Sequence, residues 1–67
     1  MKIILNNKEE VFDVDQFTIT ELLQVKNFTF KMLVIKVNGQ LVKKSEHPST
    51  LVKDGDEVMV LHLISGG

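Results

Sequence analysis

The chain has 67 residues, 8 Lys and Arg against 9 Asp and Glu, a formal net charge of -1 and no cysteine. This length allows one domain with a modest core, and the absence of cysteine excludes disulfide bonds and thiolate metal sites and predicts a cytoplasmic location. The balanced charge favours a protein partner over nucleic acid or an anionic membrane, and no apolar stretch is long enough to span a bilayer.

The first predicted elements are two strands joined as a hairpin. The segments KIIL and EVFDV have the apolar and β-branched content of strands, and NNKE between them contains residues typical of a turn.

A short helix is predicted next, with a well-specified start. Thr18 and Glu21 have the spacing of a capping box, and Phe17 can pack against Leu22 one turn inside the helix. The helix is expected to end near Asn27, which tolerates a left-handed backbone. The face expected to lie on a sheet comprises Ile19, Leu22, Leu23 and the aliphatic stem of Lys26.

The second half of the chain is predicted to be mostly strand. MLVIKV is a strand by its β-branched content, and Asn38-Gly39 is a strong turn signal that leads into the short strand QLV. KKSEHPST is polar and indicates a surface loop, and Asp54-Gly55 indicates a turn before a long final strand. The predicted order is strand, strand, helix, strand, short strand, loop, strand.

The final strand is apolar on both sides. Its alternating positions form two sets, Val58, Val60, His62 and Ile64 on one side and Met59, Leu61 and Leu63 on the other. One short helix covers only one face of a sheet, so two interpretations stay open. The second side is either covered, by a second copy or by loop residues such as Leu41, Leu51 and Val52, or it is an exposed patch that docks a partner through Met59, Leu61 and Leu63.

Catalytic and metal-binding patterns are not recognisable in the sequence. The serines lack a histidine and an acid at telling spacings, and DGDE at 54–57 lacks the spacing of a calcium loop. His47 and His62 are interpreted as a loop residue and a strand residue, because two histidines without cysteines or clustered carboxylates are poor evidence for a metal.

The sequence closes on Gly66-Gly67, and this end is its most reactive feature. The α-carboxyl group of Gly67 is ionised at neutral pH, and a carboxylate can attack the α-phosphorus of ATP to form an acyl-adenylate. Glycines have no β-carbon, so Gly66 and the small Ser65 suit a tail that threads a narrow channel. We therefore predict a folded domain over 1–64 and a flexible tail over 65–67.

Four segments, TITELL, VIKVNGQLV, SEHPSTLVKDGDEV and HLISGG, together resemble the ThiS family of thiamine-biosynthetic sulfur carriers. The resemblance covers nearly the whole chain, and its most specific parts are NGQLV, DGDEV and the Gly-Gly end. It implies an α+β, ubiquitin-like β-grasp fold, in which a mixed sheet of four to five strands packs on one short helix. The chain departs from the family pattern at Ser65, where many relatives have glycine or alanine, and at Phe28 and Phe30, which either fill the core, the favoured interpretation, or enlarge a partner surface.

The resemblance also implies a mechanism. A ubiquitin-activating-like adenylyltransferase uses ATP and magnesium to adenylate Gly67, and sulfur from a cysteine desulfurase or another donor converts the acyl-adenylate to a thiocarboxylate. Thiazole synthase then takes the sulfur into the thiazole ring of thiamine. The chain would itself be a carrier that binds no cofactor, and not an enzyme. Sulfur transfer for molybdopterin or tRNA thiolation, and attachment to other proteins as a ubiquitin-like modifier, are the alternatives.

Overall fold

The structure is a computed structural model that describes residues 1–28 and 32–62. Within these ranges the chain forms strands and one α-helix, with a short 3-10 turn at Lys44–Glu46. In chain order they are β1 (Lys2–Leu5), β2 (Lys8–Val11), β3 (Gln16–Thr18), α1 (Ile19–Val25), β4 (Leu33–Val37), β5 (Gln40–Val42), β6 (Leu51–Lys53) and β7 (Glu57–His62). None of the described helical segments is long and apolar enough to cross a membrane.

Five strands form one mixed sheet in the order β2-β1-β7-β4-β5. β1 pairs antiparallel with β2 and parallel with β7, and β4 pairs antiparallel with β7 and β5. The final strand β7 therefore lies at the centre of the sheet, between the first strand and the strand that follows the helix. This is the predicted β-grasp architecture.

Helix α1 covers one face of this sheet, and the core lies between them. Ile19 and Leu22 of α1 are fully buried, as are Ile35 on β4 and Val58 on β7. The whole set of buried apolar residues is Ile3, Leu5, Phe17, Ile19, Leu22, Ile35, Val42, Val52, Val58 and Val60. Phe28 and Leu23 are half-buried and pack against this set, as predicted for both.

The ends of α1 follow from local sequence signals. The Glu21 amide donates to Thr18 Oγ1 at 3.1 Å and the Thr18 amide donates to Glu21 Oε1 at 2.8 Å, which confirms the capping box. Asn27 has a left-handed φ of 56°, which confirms the predicted end. Lys26 is half-buried, and its ammonium group donates to both carboxylate oxygens of Glu10, at 2.8 and 2.9 Å.

The second predicted strand is shorter than expected, because β2 ends at Val11. Phe12 turns out of the strand, and its ring packs edge-to-face on the ring of Phe17 with a centroid distance of 4.9 Å. The Phe12 amide donates to the Met1 carbonyl at 2.8 Å. Burial of this ring outweighs the alternating pattern that predicted a longer strand.

A second sheet of two strands was not predicted. β3 pairs antiparallel with β6, so that Phe17 lies opposite Val52 and Thr18 lies opposite Leu51. Each of these strands has only three residues. Their pairing fixes the entry to α1 against the loop that follows β5, and it buries Phe17 and Val52.

Candidate docking face and C-terminal segment

The face of the five-stranded sheet that points away from α1 is the candidate docking site. In the β4–β7 register Lys36 lies opposite Met59 and Val34 lies opposite Leu61, and in the β4–β5 register Leu41 lies opposite Lys36. Residues directly opposite each other in antiparallel strands point to the same face. We call the surface formed by Val34, Lys36, Leu41, Met59 and Leu61 the outer face.

The outer face is largely apolar and open. Leu41 is 60% exposed and Leu61 is 43% exposed, whereas Met59 and Val34 are half-buried. The side chains of Val58 and Val60, which alternate with Met59 and Leu61 along β7, are buried under α1. An apolar group of this kind on a sheet face is typical of a protein interaction surface.

Two of the loop residues that the sequence offered as a cover for this face lie elsewhere. Val52 is buried in the core, and Leu51 belongs to β6 in the second sheet. Leu41 is part of β5 and lies on the outer face itself. Among the described residues, these loop positions therefore do not cover Met59 and Leu61, and the docking patch and the cover by a second copy both stay predictions.

Asn6, a turn residue that was not predicted to have a structural role, holds the second half of β7. The Asn6 amide donates to the Val58 carbonyl at 2.9 Å, and the Val60 amide donates to Asn6 Oδ1 at 2.8 Å. Asn6 turns the chain with a φ of 50°, so its side-chain oxygen takes the position that a further backbone carbonyl of β1 would occupy. The sequence signals the turn, but it does not signal a partner 54 residues away.

Several predicted site residues lie outside the described residues. These are Leu63 in the docking patch and Ser65, Gly66 and Gly67 in the tail, together with Phe30 in the predicted core. The boundary between 1–64 and 65–67 falls there too, so it stays a prediction. What the structure describes is the strand that leads to them, which has His62 exposed at its end and opposite Leu33.

The two histidines lie in different parts of the fold, His47 in a loop and His62 at the end of β7. His47 is half-buried in the loop after β5, and its carbonyl accepts the Thr20 amide at 3.3 Å. Burial, and to a lesser extent the Lys44 charge, lower the pKa of His47 below its ordinary value of 6.5.

His47 lines an open pocket of about 400 Å³ on the helix side, with Thr20, Leu23, Gln24, Asn27 and Phe28. Over the described residues, no His, Cys, Asp and Glu side chains group closely enough to hold a metal ion.

The sequence matches a known protein family. The model of the ThiS family matches residues 2–67. The chain belongs to the ThiS family. The family match extends over all the strands and the helix of this ThiS-family chain and continues through Gly66 and Gly67.

Solved structures agree with this assignment. A crystal structure of the thiamine biosynthesis protein (ThiS) from Geobacter metallireducens is 29% identical, covers 100% of both chains and superposes with a TM-score of 0.90. An NMR solution structure of a thiamine biosynthesis protein from the same organism is 29% identical, with 100% of this chain and 88% of that chain covered and a TM-score of 0.81. A search of curated proteins gave no significant match.

Proposed function

We propose that this chain is the sulfur carrier of thiamine biosynthesis, and that the α-carboxylate of Gly67 carries the sulfur as a thiocarboxylate. The observation that carries the proposal is the ThiS-family match, which runs through residues 2–67 and so includes the Gly-Gly end. The thiamine biosynthesis protein (ThiS) of Geobacter metallireducens, whose crystal structure has the same fold over 100% of both chains, supports it.

In the proposed chemistry the Gly67 carboxylate is first a nucleophile. Its acyl-adenylate is then the electrophile, with AMP as the leaving group. A carboxylate oxygen of Gly67 attacks the α-phosphorus of ATP, which forms an acyl-adenylate and releases pyrophosphate. A sulfur nucleophile then attacks the acyl carbon, and AMP departs with that oxygen. Sulfide gives the thiocarboxylate directly, whereas a desulfurase persulfide gives an acyl disulfide, whose S–S bond a thiol then reduces to release the thiocarboxylate. The net result is the exchange of one oxygen for one sulfur. The partners are an adenylyltransferase that uses ATP and magnesium, a cysteine desulfurase or another sulfur donor, and thiazole synthase, all in the cytoplasm.

The described part of the chain is proposed to supply binding energy that the tail lacks. Ordering a tail residue costs about 1–2 kcal/mol of backbone entropy, and glycine loses more than other residues. Insertion of the Gly-Gly end into an active site would therefore bind weakly by itself. Burial of Leu41, Met59 and Leu61 against a partner provides compensating apolar contact, at about 25 cal/mol per Å² removed from water.

The position of β7 links docking to chemistry. β7 pairs on both sides within the sheet, with β1 and with β4. The Gly-Gly end therefore follows a strand that is held at the centre of the domain, and Leu61 on the same strand contacts the partner in this proposal. Docking of the outer face then brings residues 65–67 to the enzyme at high effective concentration.

Intact-protein mass spectrometry of the chain purified from its own cells tests the proposal. We expect a fraction whose mass is higher by one oxygen-to-sulfur exchange, and fragmentation should locate the change at Gly67. The matched control is the same chain extended by one alanine after Gly67, which has no free Gly67 carboxylate and should carry no sulfur.

The other outcomes of this experiment separate the alternatives. Unmodified chain alone, even when it is co-expressed with the adenylyltransferase and a sulfur donor, would contradict the carrier function. Amide-linked adducts on lysines of other proteins would identify a modifier. If the thiocarboxylate forms, incubation with thiazole synthase should consume it, whereas consumption only by molybdopterin or tRNA thiolation enzymes would move the carrier to another pathway.

A further inference from the structure

The charges around the outer face are separated across the strand order β2-β1-β7-β4-β5. On β4 and directly after β5 the charged side chains are lysines. Lys36 is exposed and lies between Leu41 and Met59 across the strands. Lys43 follows β5 with an extended backbone, at φ -72° and ψ 154°, directly after the buried Val42. Because side chains alternate along extended backbone, Lys43 points to the outer side of the sheet.

The part of the same sheet surface on β7, β1 and β2 is acidic on balance. Glu57 is exposed on the same side of β7 as Met59, two residues earlier, and it pairs in register with Ile4 on β1. Glu9 lies opposite Ile4 on β2. Lys2 Nζ is 3.8 Å from Glu9 Oε2 and offsets one of the two acidic charges. This part of the surface therefore keeps one carboxylate in excess.

Lys36 and Lys43 form no ion pair with another described residue. In the described part of the chain the ion pairs are Lys2 with Glu9 and Lys26 with Glu10, and neither involves Lys36 or Lys43. Lys36 lies opposite Leu41 and Met59 in the strand register, and the proposed function buries both of these apolar residues against an enzyme. An enzyme surface that covered Leu41 and Leu61 but had no acidic side chain opposite these lysines would remove water from their ammonium groups. It would supply no compensating charge, which is costly.

We propose that the outer face orients its partner by charge: the adenylyltransferase presents acidic side chains to Lys36 and Lys43. This inference rests on the proposed function, and it names what the enzyme surface must carry. An enzyme docked in the reverse orientation would place its acidic side chains over Glu57 and Glu9, where like charges repel. Only one orientation of the domain on the enzyme is then favoured, and it fixes the direction in which β7 ends at His62.

The test is charge reversal with a control that has the same net charge. K36E/K43E reverses both lysines of the outer face. K8E/K53E reverses two exposed lysines away from it, because Lys8 lies opposite the buried Leu5 and Lys53 belongs to β6 in the second sheet. We would measure the association rate with the organism's adenylyltransferase at several ionic strengths, and pyrophosphate release at saturating carrier concentration.

At low ionic strength K36E/K43E should associate about 10-fold or more slowly than the wild-type chain and lose most of the dependence of the rate on salt. K8E/K53E should stay within about 3-fold of wild type. The neutral variant K36Q/K43Q should give an intermediate rate. Pyrophosphate release at saturation should be unchanged in K8E/K53E, because Lys8 and Lys53 lie away from the outer face.

Two results would overturn the inference while the proposed function stands. One is an equal slowing of both double variants, which would assign the effect to net charge alone. The other is wild-type association by K36E/K43E with circular dichroism that shows a folded domain. If the wild-type chain itself releases no pyrophosphate with the enzyme, the proposed function fails and this inference fails with it.

Discussion

Asn6 belongs to the turn between β1 and β2, yet its side chain completes the hydrogen bonding of β7. The Val60 amide has Asn6 Oδ1 as its acceptor at 2.8 Å, in a partly buried position. A buried amide without an acceptor costs about 1–3 kcal/mol. One amide oxygen therefore secures the strand that carries Leu61 and precedes the proposed reactive end.

Replacing Asn6 by alanine should lower the free energy of unfolding by about 1–3 kcal/mol and speed hydrogen exchange at the Val60 amide. The matched control is Asn7→Ala, because Asn7 also has a positive φ, at 69° against 50° for Asn6. Asn7→Ala should show only the backbone cost, so its Val60 exchange should stay slower than that of Asn6→Ala. Urea denaturation and amide exchange measure the two effects, and equal behaviour of both variants would assign no role to the Asn6 side chain.

Leu61 tests whether the outer face is a docking surface. Leu61→Glu should reduce adenylyltransferase binding about 10-fold or more, because it places a charge in the apolar centre of the contact. Its free energy of unfolding should change by about 0.5 kcal/mol, since the side chain is 43% exposed. Val25→Glu, at a 62% exposed position on α1, introduces the same charge on the other side and should bind normally. Calorimetric titration and urea unfolding distinguish the outcomes, and a large stability loss in Leu61→Glu would place Leu61 in the core.

At the scale of elements, α1 depends on its first turn. The helix has 7 residues, a length at which an isolated helix does not form stably in water. Its stability therefore comes from the buried side chains Ile19 and Leu22 and from the capping box of Thr18 and Glu21.

Thr18→Ala should lower the free energy of unfolding by about 1 kcal/mol, because the Glu21 amide loses its acceptor. Thr18→Ser keeps a hydroxyl in reach of that amide and should recover most of the loss. Thermal unfolding followed by circular dichroism measures both variants. A loss of the same size in both would mean that the β-branched side chain opposite Leu51 matters more than the cap.

The elements that the sequence predicted are those with local signals. The capping box joins residues three apart, and the Asn38-Gly39 turn needs two neighbouring positive φ values, 51° and 83°. The β3–β6 pair escaped prediction because each strand has three residues and the pairing joins Gln16 to Lys53. The end of β2 escaped for a related reason, since burial of Phe12 on the Phe17 ring is a tertiary contact.

The outer face was predictable in part. Alternation placed Met59 and Leu61 on one side of the final strand, and the register confirms that they share a face with Lys36 and Val34. Which side stays open depended on α1, whose burial of Val58 and Val60 assigns the opposite side to the core. No periodicity in β7 alone contains that information, because both sides of the strand are apolar.

At the scale of the whole molecule, the core and the proposed chemistry occupy different parts of the chain. The buried apolar set extends from Ile3 to Val60. Deletion of Gly67 should therefore leave the midpoint of thermal unfolding unchanged within about 2 °C, while ATP-dependent pyrophosphate release with the adenylyltransferase is lost. Differential scanning calorimetry and a pyrophosphate assay measure the two properties. Substantial unfolding on deletion would show that the end of the chain contributes to the core.

The central position of β7 has a consequence for how the protein is made. During synthesis the chain leaves the ribosome from its N-terminus, so β1, β2, β4 and β5 emerge before β7, the last described strand. β1 and β4 do not pair with each other, and both need β7 between them. A nascent chain that stops short of β7 has two separate hairpins and no complete sheet, so the outer face forms only on chains whose translation has passed His62. An enzyme that docks on this face therefore selects finished carriers over fragments.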